Sequence, residues 1–89
     1  MRTVFHPDAL DHLAYWIGED AKTAAKIMTL IEDTRRRPFT GLGKPEPLRG
    51  KYQGWWSRRI TDEHRLVYRV TGTGASQTIE IAQCRFHYQ

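Results

Sequence analysis

The sequence predicts an α+β fold in which two N-terminal helices pack on one face of a small, mostly antiparallel sheet. Between residues 7 and 37, apolar residues recur at the spacing of amphipathic helices. From residue 55 onward, the pattern changes to the apolar–polar alternation that is typical of strands. The segments connecting these later strands are short, which favours antiparallel neighbours. A chain of 89 residues accommodates one hydrophobic core, so residues 1–89 are expected to form a single domain.

The helical region follows a short predicted strand at Val4-Phe5. Pro7 suits the first position of a helix, and Asp20 suits the N-cap of a second one. Pro38 is expected to end the second helix, because proline cannot continue the hydrogen-bond pattern. Each helix carries one apolar stripe that is expected to face the core. The stripes are Leu10, Leu13, Ala14 and Ile17 in the first helix and Ala24, Ile27, Met28 and Ile31 in the second.

Residues 40–54 are rich in glycine and proline, which indicates an ordered surface loop. Three strands are predicted after this loop, at residues 55–61, 64–71 and 78–86. The second of these strands carries apolar residues at alternate positions, namely Leu66, Tyr68 and Val70. Because successive side chains of a strand point to opposite faces, these residues are expected to pack on the helices and to leave Arg65 on the other face.

Charge is segregated along the chain. Residues 35–69 contain ten of the fourteen Lys and Arg residues but only three of the ten acidic ones, which gives this segment a net charge of +7 in a chain whose formal total is +4. A basic central segment favours a polyanionic partner, most simply a nucleic acid. A solvated basic face is the alternative.

Neither a metal, nor an organic cofactor, nor a membrane is expected. Cys84 is the only cysteine, which excludes an intrachain disulfide, fits a reducing cytoplasm and indicates a small buried side chain. The four histidines are scattered rather than spaced as metal ligands, and no phosphate-binding glycine motif is present. The N-terminus lacks the apolar run of a signal peptide, and no segment approaches transmembrane length.

Four polar side chains carry the chemistry that RNA cleavage without a metal requires. Glu46 lies between two prolines in the loop, Arg65 begins a predicted strand, and His87 and Tyr88 follow the last strand. Attack by the 2′-hydroxyl of RNA needs a base, a cation that stabilises the charge on the phosphate, and an acid for the leaving 5′-oxygen. A carboxylate, a guanidinium and an imidazole supply these three functions.

Each of these residues also has a structural interpretation that the sequence leaves open. Glu46 could be an ordinary exposed carboxylate, and His87 a terminal surface histidine. Arg65 could form a salt bridge with Asp62 or Glu63, and Tyr88 could lie in the core or stack on an RNA base. The pair Trp55-Trp56 could anchor the core, form a dimer interface or bind nucleic acid, and for at least one of the two the core or an interface is favoured.

Several ordered blocks of sequence carry a resemblance to a known family. They are TRRRPF at residues 34–39, GKPEPL at 43–48, WWSRRIT at 55–61, EHRLVY at 63–68 and CRFHY at 84–88. Because of these blocks, the chain resembles the YoeB toxins of bacterial toxin–antitoxin pairs over nearly its full length. These toxins belong to the RelE-like mRNA interferases. The resemblance implies a RelE-like microbial RNase fold.

The resemblance also implies an activity, which is ribosome-dependent cleavage of mRNA in the ribosomal A site. It assigns Glu46 as general base, Arg65 as the residue that stabilises the phosphate, His87 as general acid and Tyr88 as a residue that positions the RNA. Basic residues that flank this set in the sequence are expected to bind RNA without transforming it. They are Lys44, Arg49, Lys51, Arg58 and Arg59.

The partners implied by the resemblance are mRNA on the ribosome and a cognate antitoxin, whose disordered tail folds onto the basic surface and covers the site. A homodimer is expected from the small size of the chain, from the tryptophan pair and from the family. The alternative function is a non-catalytic toxin on the same scaffold that binds nucleic acid or protein. The presence of all four candidate catalytic residues argues against that alternative.

Overall fold

The computed structural model describes residues 1–87 and shows two helices and five strands in them. In chain order, the elements are β1 (Arg2–Phe5), α1 (Pro7–Glu19), α2 (Ala21–Arg36), β2 (Glu46–Pro47), a 3-10 turn (Gly50–Tyr52), β3 (Trp56–Arg59), β4 (Arg65–Thr71), a second 3-10 turn (Gly74–Ser76) and β5 (Thr78–Gln83). Neither helix is long and apolar enough to cross a membrane in the part of the chain that is described.

The strands form one sheet in the order β1-β5-β4-β3-β2. Only the pairing of β1 with β5 is parallel, and the other three pairings are antiparallel. The expected α+β architecture with a mostly antiparallel sheet is therefore confirmed. The two-residue edge strand β2 was expected to be loop, because it contains Pro47, follows Pro45 and lies among glycines, which gives no strand signal in the sequence.

The apolar stripe expected on α1 is wrong at three of its four positions, because Leu10, Ala14 and Ile17 are exposed. Leu10 and Ile17 are 57% and 64% exposed, whereas Ala9 and Trp16 are buried and Leu13 packs against the core. The helix carries two apolar stripes about 100° apart, and spacing alone does not decide between them. The stripe with Trp16 is the buried one, and the indole N–H of Trp16 donates to the carbonyl of Cys84.

The second helix follows its expected boundaries closely. Asp20 caps it by accepting the backbone N–H of Thr23, and it ends just before Pro38. Ala24, Ile27 and Ile31 are buried as expected. Met28 was expected to be buried but is 47% exposed. Leu30, which was not part of the expected stripe, is buried.

The core lies between the helices and one face of the sheet. Leu66 and Tyr68 are fully buried in it, and Val70 packs against it, which confirms the expected orientation of β4. Cys84 is also fully buried, and burial raises the pKa of its thiol to about 12. This thiol is therefore a small interior side chain, as expected, and it stays protonated and unreactive at neutral pH.

Arg58 is a structural residue, which corrects the expectation that it contacts RNA. It is 0% exposed, and all five of its N–H donors are engaged. The guanidinium donates to the Asp33 carboxylate at 2.7 Å, to the Tyr68 hydroxyl at 3.3 Å and to three backbone carbonyls in residues 37–42. It therefore fastens the segment after α2 onto the sheet and has no donor left for a phosphate.

Candidate active site

One row of paired residues crosses the face of the sheet opposite the helices, which we call the outer face. Glu46 pairs with Ser57, Ser57 with Val67, and Val67 with Gln83. Directly paired residues point to the same face of a sheet, and Val67 alternates with residues of the core. The row therefore places Glu46 at the β2 edge of the outer face, two strands from Val67, and the pairing with Gln83 at the end of β5 lies at a register shift between Val67 and Tyr68.

Glu46 is exposed on the edge strand of the sheet. Prolines on both sides restrict the backbone, and the backbone N–H of Leu48 donates to the carbonyl of Trp55 at 2.9 Å, which ties β2 to the start of β3. Glu46 lines a surface cavity of ≈ 520 Å³ together with Leu48 and Arg49. The carboxylate is thus held at a defined place on the sheet and remains accessible to a ligand.

Arg65 is only 8% exposed, yet it forms no ion pair within residues 1–87. Its Nη1 donates to the carbonyls of Thr61, Asp62 and His64 at 2.7–3.1 Å. These acceptors fix the guanidinium without neutralising it. The salt bridge to Asp62 or Glu63 that the sequence left open is not formed, and Nε and Nη2 have no partner in the described chain.

Arg59 lies directly opposite Arg65 in the β3–β4 pairing, so both arginines start from the outer face. Arg59 is exposed and, within the described residues, forms no ion pair either. Like charges that are directly opposed are unfavourable in an isolated sheet. The pair therefore creates a local positive potential suited to an anion.

His87 lines a polar cavity of ≈ 560 Å³ at the end of β5. Sequence reasoning identified His87 there but missed the other residues around this cavity. They are Asp8, His12, Tyr52, Gln83, Arg85 and Phe86. The spacing of Asp8 and His12, one helical turn apart, could have shown that they share a face of α1. No feature of the sequence showed that this face meets the C-terminal segment.

The sheet brings Arg65 and the segment before His87 together. The backbone N–H of Arg65 donates to the carbonyl of Phe86 at 3.0 Å. Glu46 is two strands from β4 on the same face, about 10 Å away at the level of the backbone. Tyr88, the fourth candidate catalytic residue, lies outside the described residues.

The remaining basic residues of the expected RNA-binding set are all exposed; they are Lys44, Arg49, Lys51 and Arg59. Arg49 shares the cavity of Glu46, and Lys51 lies 5.3 Å from the ring centre of Tyr52, which lines the cavity of His87. Lys44 and Arg59 line a third cavity, of ≈ 460 Å³, beside α2. These cations are therefore spread over three cavities rather than gathered in one compact patch.

The two adjacent tryptophans face opposite sides of the sheet. Trp56 packs against the core, with its ring centre 4.7 Å from that of Phe39, which confirms a core role for one member of the pair. Trp55 lies at 4.5 Å from the guanidinium of Arg69. Arg69 in turn forms a salt bridge with Glu80 at 3.0 Å, and this contact holds the pKa of the Glu80 carboxyl below its usual value.

No group of three or more His, Cys, Asp or Glu side chains within residues 1–87 is arranged to hold a metal ion. The described side chains at the outer face offer groups for acid–base chemistry and for the stabilisation of negative charge. An exposed carboxylate, an arginine pair without carboxylate partners and an imidazole are the groups available for it.

Residues 5–88 match the family model of YoeB-like toxins of bacterial type II toxin–antitoxin systems. The chain is similar to toxin YoeB of Escherichia coli K12, with 49% identity over 88 residues that cover 99% of this chain and 100% of the relative. Among solved structures, a YoeB/ParE toxin from Agrobacterium tumefaciens superposes with a TM-score of 0.97 at 52% identity and covers 99% of this chain and 100% of its own.

A YoeB from Staphylococcus aureus has been solved as a dimer, with a TM-score of 0.87, and in a heterotetrameric YoeB–YefM toxin–antitoxin complex, with a TM-score of 0.86. Both are 38% identical to this chain and cover 99% of it and 98% of their own length. A family match over residues 5–88, together with relatives about half identical across their whole length, shows that this chain belongs to the YoeB-like toxins of bacterial type II toxin–antitoxin systems.

Proposed function

We propose that the protein is a ribosome-dependent endoribonuclease, which cleaves mRNA in the ribosomal A site by attack of the RNA's own 2′-hydroxyl. The observation that carries the proposal is the pairing of Arg59 with Arg65 on the outer face, where no carboxylate of the described residues neutralises either charge. A polyanionic substrate accounts for two opposed cations that would otherwise repel each other.

The order of elements across the sheet supports an assignment of roles. Arg65 on β4 lies between Glu46, at the β2 edge, and the segment that precedes His87, on the β5 side. In-line displacement at phosphorus requires the attacking and leaving oxygens on opposite sides of the phosphate. A base and an acid on either side of an arginine satisfy that requirement.

In this mechanism, Glu46 removes the proton of the 2′-hydroxyl, and the resulting oxygen attacks the adjacent phosphorus. Arg65 stabilises the additional negative charge on the phosphate oxygens in the transition state. His87 donates a proton to the 5′-oxygen as its bond to phosphorus breaks, and Tyr88 orients the nucleotide. The products are a 2′,3′-cyclic phosphate, or a 3′-phosphate after its hydrolysis, and a 5′-hydroxyl.

The ribosome holds the mRNA in a reactive geometry, which this small enzyme does not do by itself. Cleavage requires the 2′-oxygen to lie in line with the leaving 5′-oxygen, and holding reactants in such a geometry lowers the barrier substantially. A message bound in the decoding site is already held in place. The toxin then adds only the proton transfers and the stabilisation of charge.

The partners of the toxin follow from its relatives. The Staphylococcus aureus YoeB assembles with an antitoxin, YefM, and is also solved as a dimer. For this chain, we infer an antitoxin whose disordered tail covers the basic outer face, a homodimer in its absence, and action in the cytoplasm, where ribosomes and reduced thiols are found.

Cleavage mapping on a translated message tests the proposal. Purified ribosomes programmed with a defined mRNA should yield a new 5′-hydroxyl end at the A-site codon when the wild-type protein is added, and should yield it about 10²–10⁴-fold more slowly with His87→Ala. The same RNA without ribosomes should stay intact. Binding to the ribosome without any cleavage would refute the proposal and favour a non-catalytic toxin.

A further inference from the structure

Two histidines from different elements hold the backbone of the C-terminal segment. The N–H of Cys84 donates to Nδ1 of His12, on α1, at 3.2 Å. The N–H of Phe86 donates to Nδ1 of His64, in the turn before β4, at 2.7 Å. The two amides lie on either side of Arg85, and the second belongs to the residue immediately before His87. The mechanism above gives no role to either His12 or His64.

These contacts define the protonation state of both rings. A ring nitrogen that accepts an N–H bond carries no proton, so each imidazole is neutral with its proton on Nε2. A doubly protonated imidazolium has no acceptor and could hold neither amide. Burial lowers the pKa of His12, which favours this neutral form.

Phe86 shows why the segment needs to be held. Its φ is +70°, a left-handed conformation that is strained for a bulky L-residue. Such strain persists only where the surroundings over-determine it. Here the N–H of Phe86 is bound by His64 and its carbonyl by the N–H of Arg65 at 3.0 Å, so both polar groups of the strained residue are fixed.

The side chains around this turn also pack on the histidines. The Phe86 ring meets the His12 ring edge-on, with the ring centres 5.6 Å apart. The His64 ring meets the Trp16 ring in the same way at 4.9 Å, and the Trp16 indole N–H donates to the Cys84 carbonyl at 2.9 Å. The segment is therefore held from the helix side through His12 and Trp16, and from the β4 side through His64.

We propose that His12 and His64 are positioning residues, which fix the backbone turn before His87 by accepting the N–H groups of Cys84 and Phe86. The effect of these two histidines on the rate of cleavage rests on the proposed function, in which His87 is the general acid. A displacement of about 1 Å in a catalytic group can cost on the order of 10²-fold in rate. Loss of either acceptor should therefore slow cleavage without removing any of the four residues to which the mechanism gives a role.

Paired substitutions separate the acceptor from the bulk of the ring. In asparagine, Oδ1 is bonded to Cγ as Nδ1 is in histidine, so His12→Asn and His64→Asn keep an acceptor at nearly the same place. Glutamine carries its oxygen one carbon farther out, and alanine carries none. We expect the asparagine variants to cleave ribosome-bound mRNA within a few-fold of wild type. The glutamine and alanine variants should be slower by about 10²-fold in single-turnover rate, with ribosome binding unchanged.

An NMR measurement on the wild-type protein needs neither activity nor a variant. The ¹⁵N shifts of His12 and His64 should show the proton on Nε2 in both rings, and the amides of Cys84 and Phe86 should exchange slowly with solvent. A proton on Nδ1 of both rings, or full activity in both alanine variants, would overturn the inference. A wild-type protein that cleaves no RNA would refute the proposed function alone, since the tautomers and amide exchange would still decide whether the two histidines hold the turn.

Discussion

Replacing Arg58 with alanine should destabilise the fold, whereas the same change at the adjacent Arg59 should not. Arg58 is fully buried, with all five donors engaged, and Arg59 is exposed. The alanine variant at position 58 leaves the Asp33 carboxylate without its buried partner and leaves three carbonyls of residues 37–42 without their donor.

The two substitutions should differ several-fold in their effect on the free energy of unfolding. Removing one partner of a buried ion pair costs about 3–5 kcal/mol. Asp33 keeps its salt bridge to Arg37 in this variant, but three backbone carbonyls also lose their donor, so we expect a cost of the same order. Small domains have a total stability of about 5–15 kcal/mol, so Arg58→Ala should bring the protein close to the edge of folding. A surface substitution such as Arg59→Ala should change the free energy of unfolding by no more than about 0.5 kcal/mol.

Urea denaturation followed by circular dichroism measures both variants against wild type. The midpoint of Arg58→Ala should fall strongly, or the variant should be unfolded without denaturant, while Arg59→Ala keeps a midpoint near that of wild type. Arg58→Lys serves as a further control, because it retains the charge opposite Asp33 but cannot reach all of the carbonyls. Equal stabilities for the two alanine variants would refute the structural role assigned to Arg58.

Three further predictions concern pH and salt. Hydrogen bonds, first of all from Arg37, hold the pKa of the Asp33 carboxyl below its usual value, so its stabilisation is present above about pH 4 and lost in acid. The stability advantage of wild type over Asp33→Asn should therefore narrow below that pH, and a constant difference would contradict this. Burial lowers the pKa of His12, so wild type should lose stability as the pH falls below about 6.5, a step that His12→Asn should lack. Neutralising the four exposed basic residues should weaken ribosome binding and flatten its dependence on salt, and an unchanged slope would count against an RNA contact. The residues to be changed together are Lys44, Arg49, Lys51 and Arg59.

The alternation of side chains along β3 also predicts that Arg58 points to the interior. Arg58 pairs with Leu66 on the core face, between Trp56 and Ile60 in the period of two. The same argument that placed Arg65 on the outer face could therefore have placed Arg58 in the interior. Its charge suggested the surface, and no local pattern indicated that Asp33 of α2 and three carbonyls of residues 37–42 would accept its hydrogen bonds.

The stripes of α1 and the position of Glu46 show what the sequence alone could not decide. Leu10 and Ile17 match a helical period as well as Trp16 does, and only the packing of the helix on β5 selects between them. The prolines around Glu46 indicated a restricted backbone. The pairing of Glu46 with Ser57 puts the carboxylate on the face of Arg65. This pairing depends on the register between two distant segments, which no local pattern specifies.

An RNA whose leaving 5′-oxygen is replaced by sulfur tests the proposed division of roles most directly. Sulfur is a leaving group that needs little protonation, so an enzyme without its general acid should cleave this substrate nearly as fast as wild type does. A general acid or base typically contributes about 10²–10⁴-fold, so Glu46→Ala and His87→Ala should each slow cleavage of the normal RNA by that order. On ribosomes that carry the modified message, the account predicts that His87→Ala is rescued and Glu46→Ala is not. Rescue of both variants, or of neither, would contradict the assignment of Glu46 as base and His87 as acid.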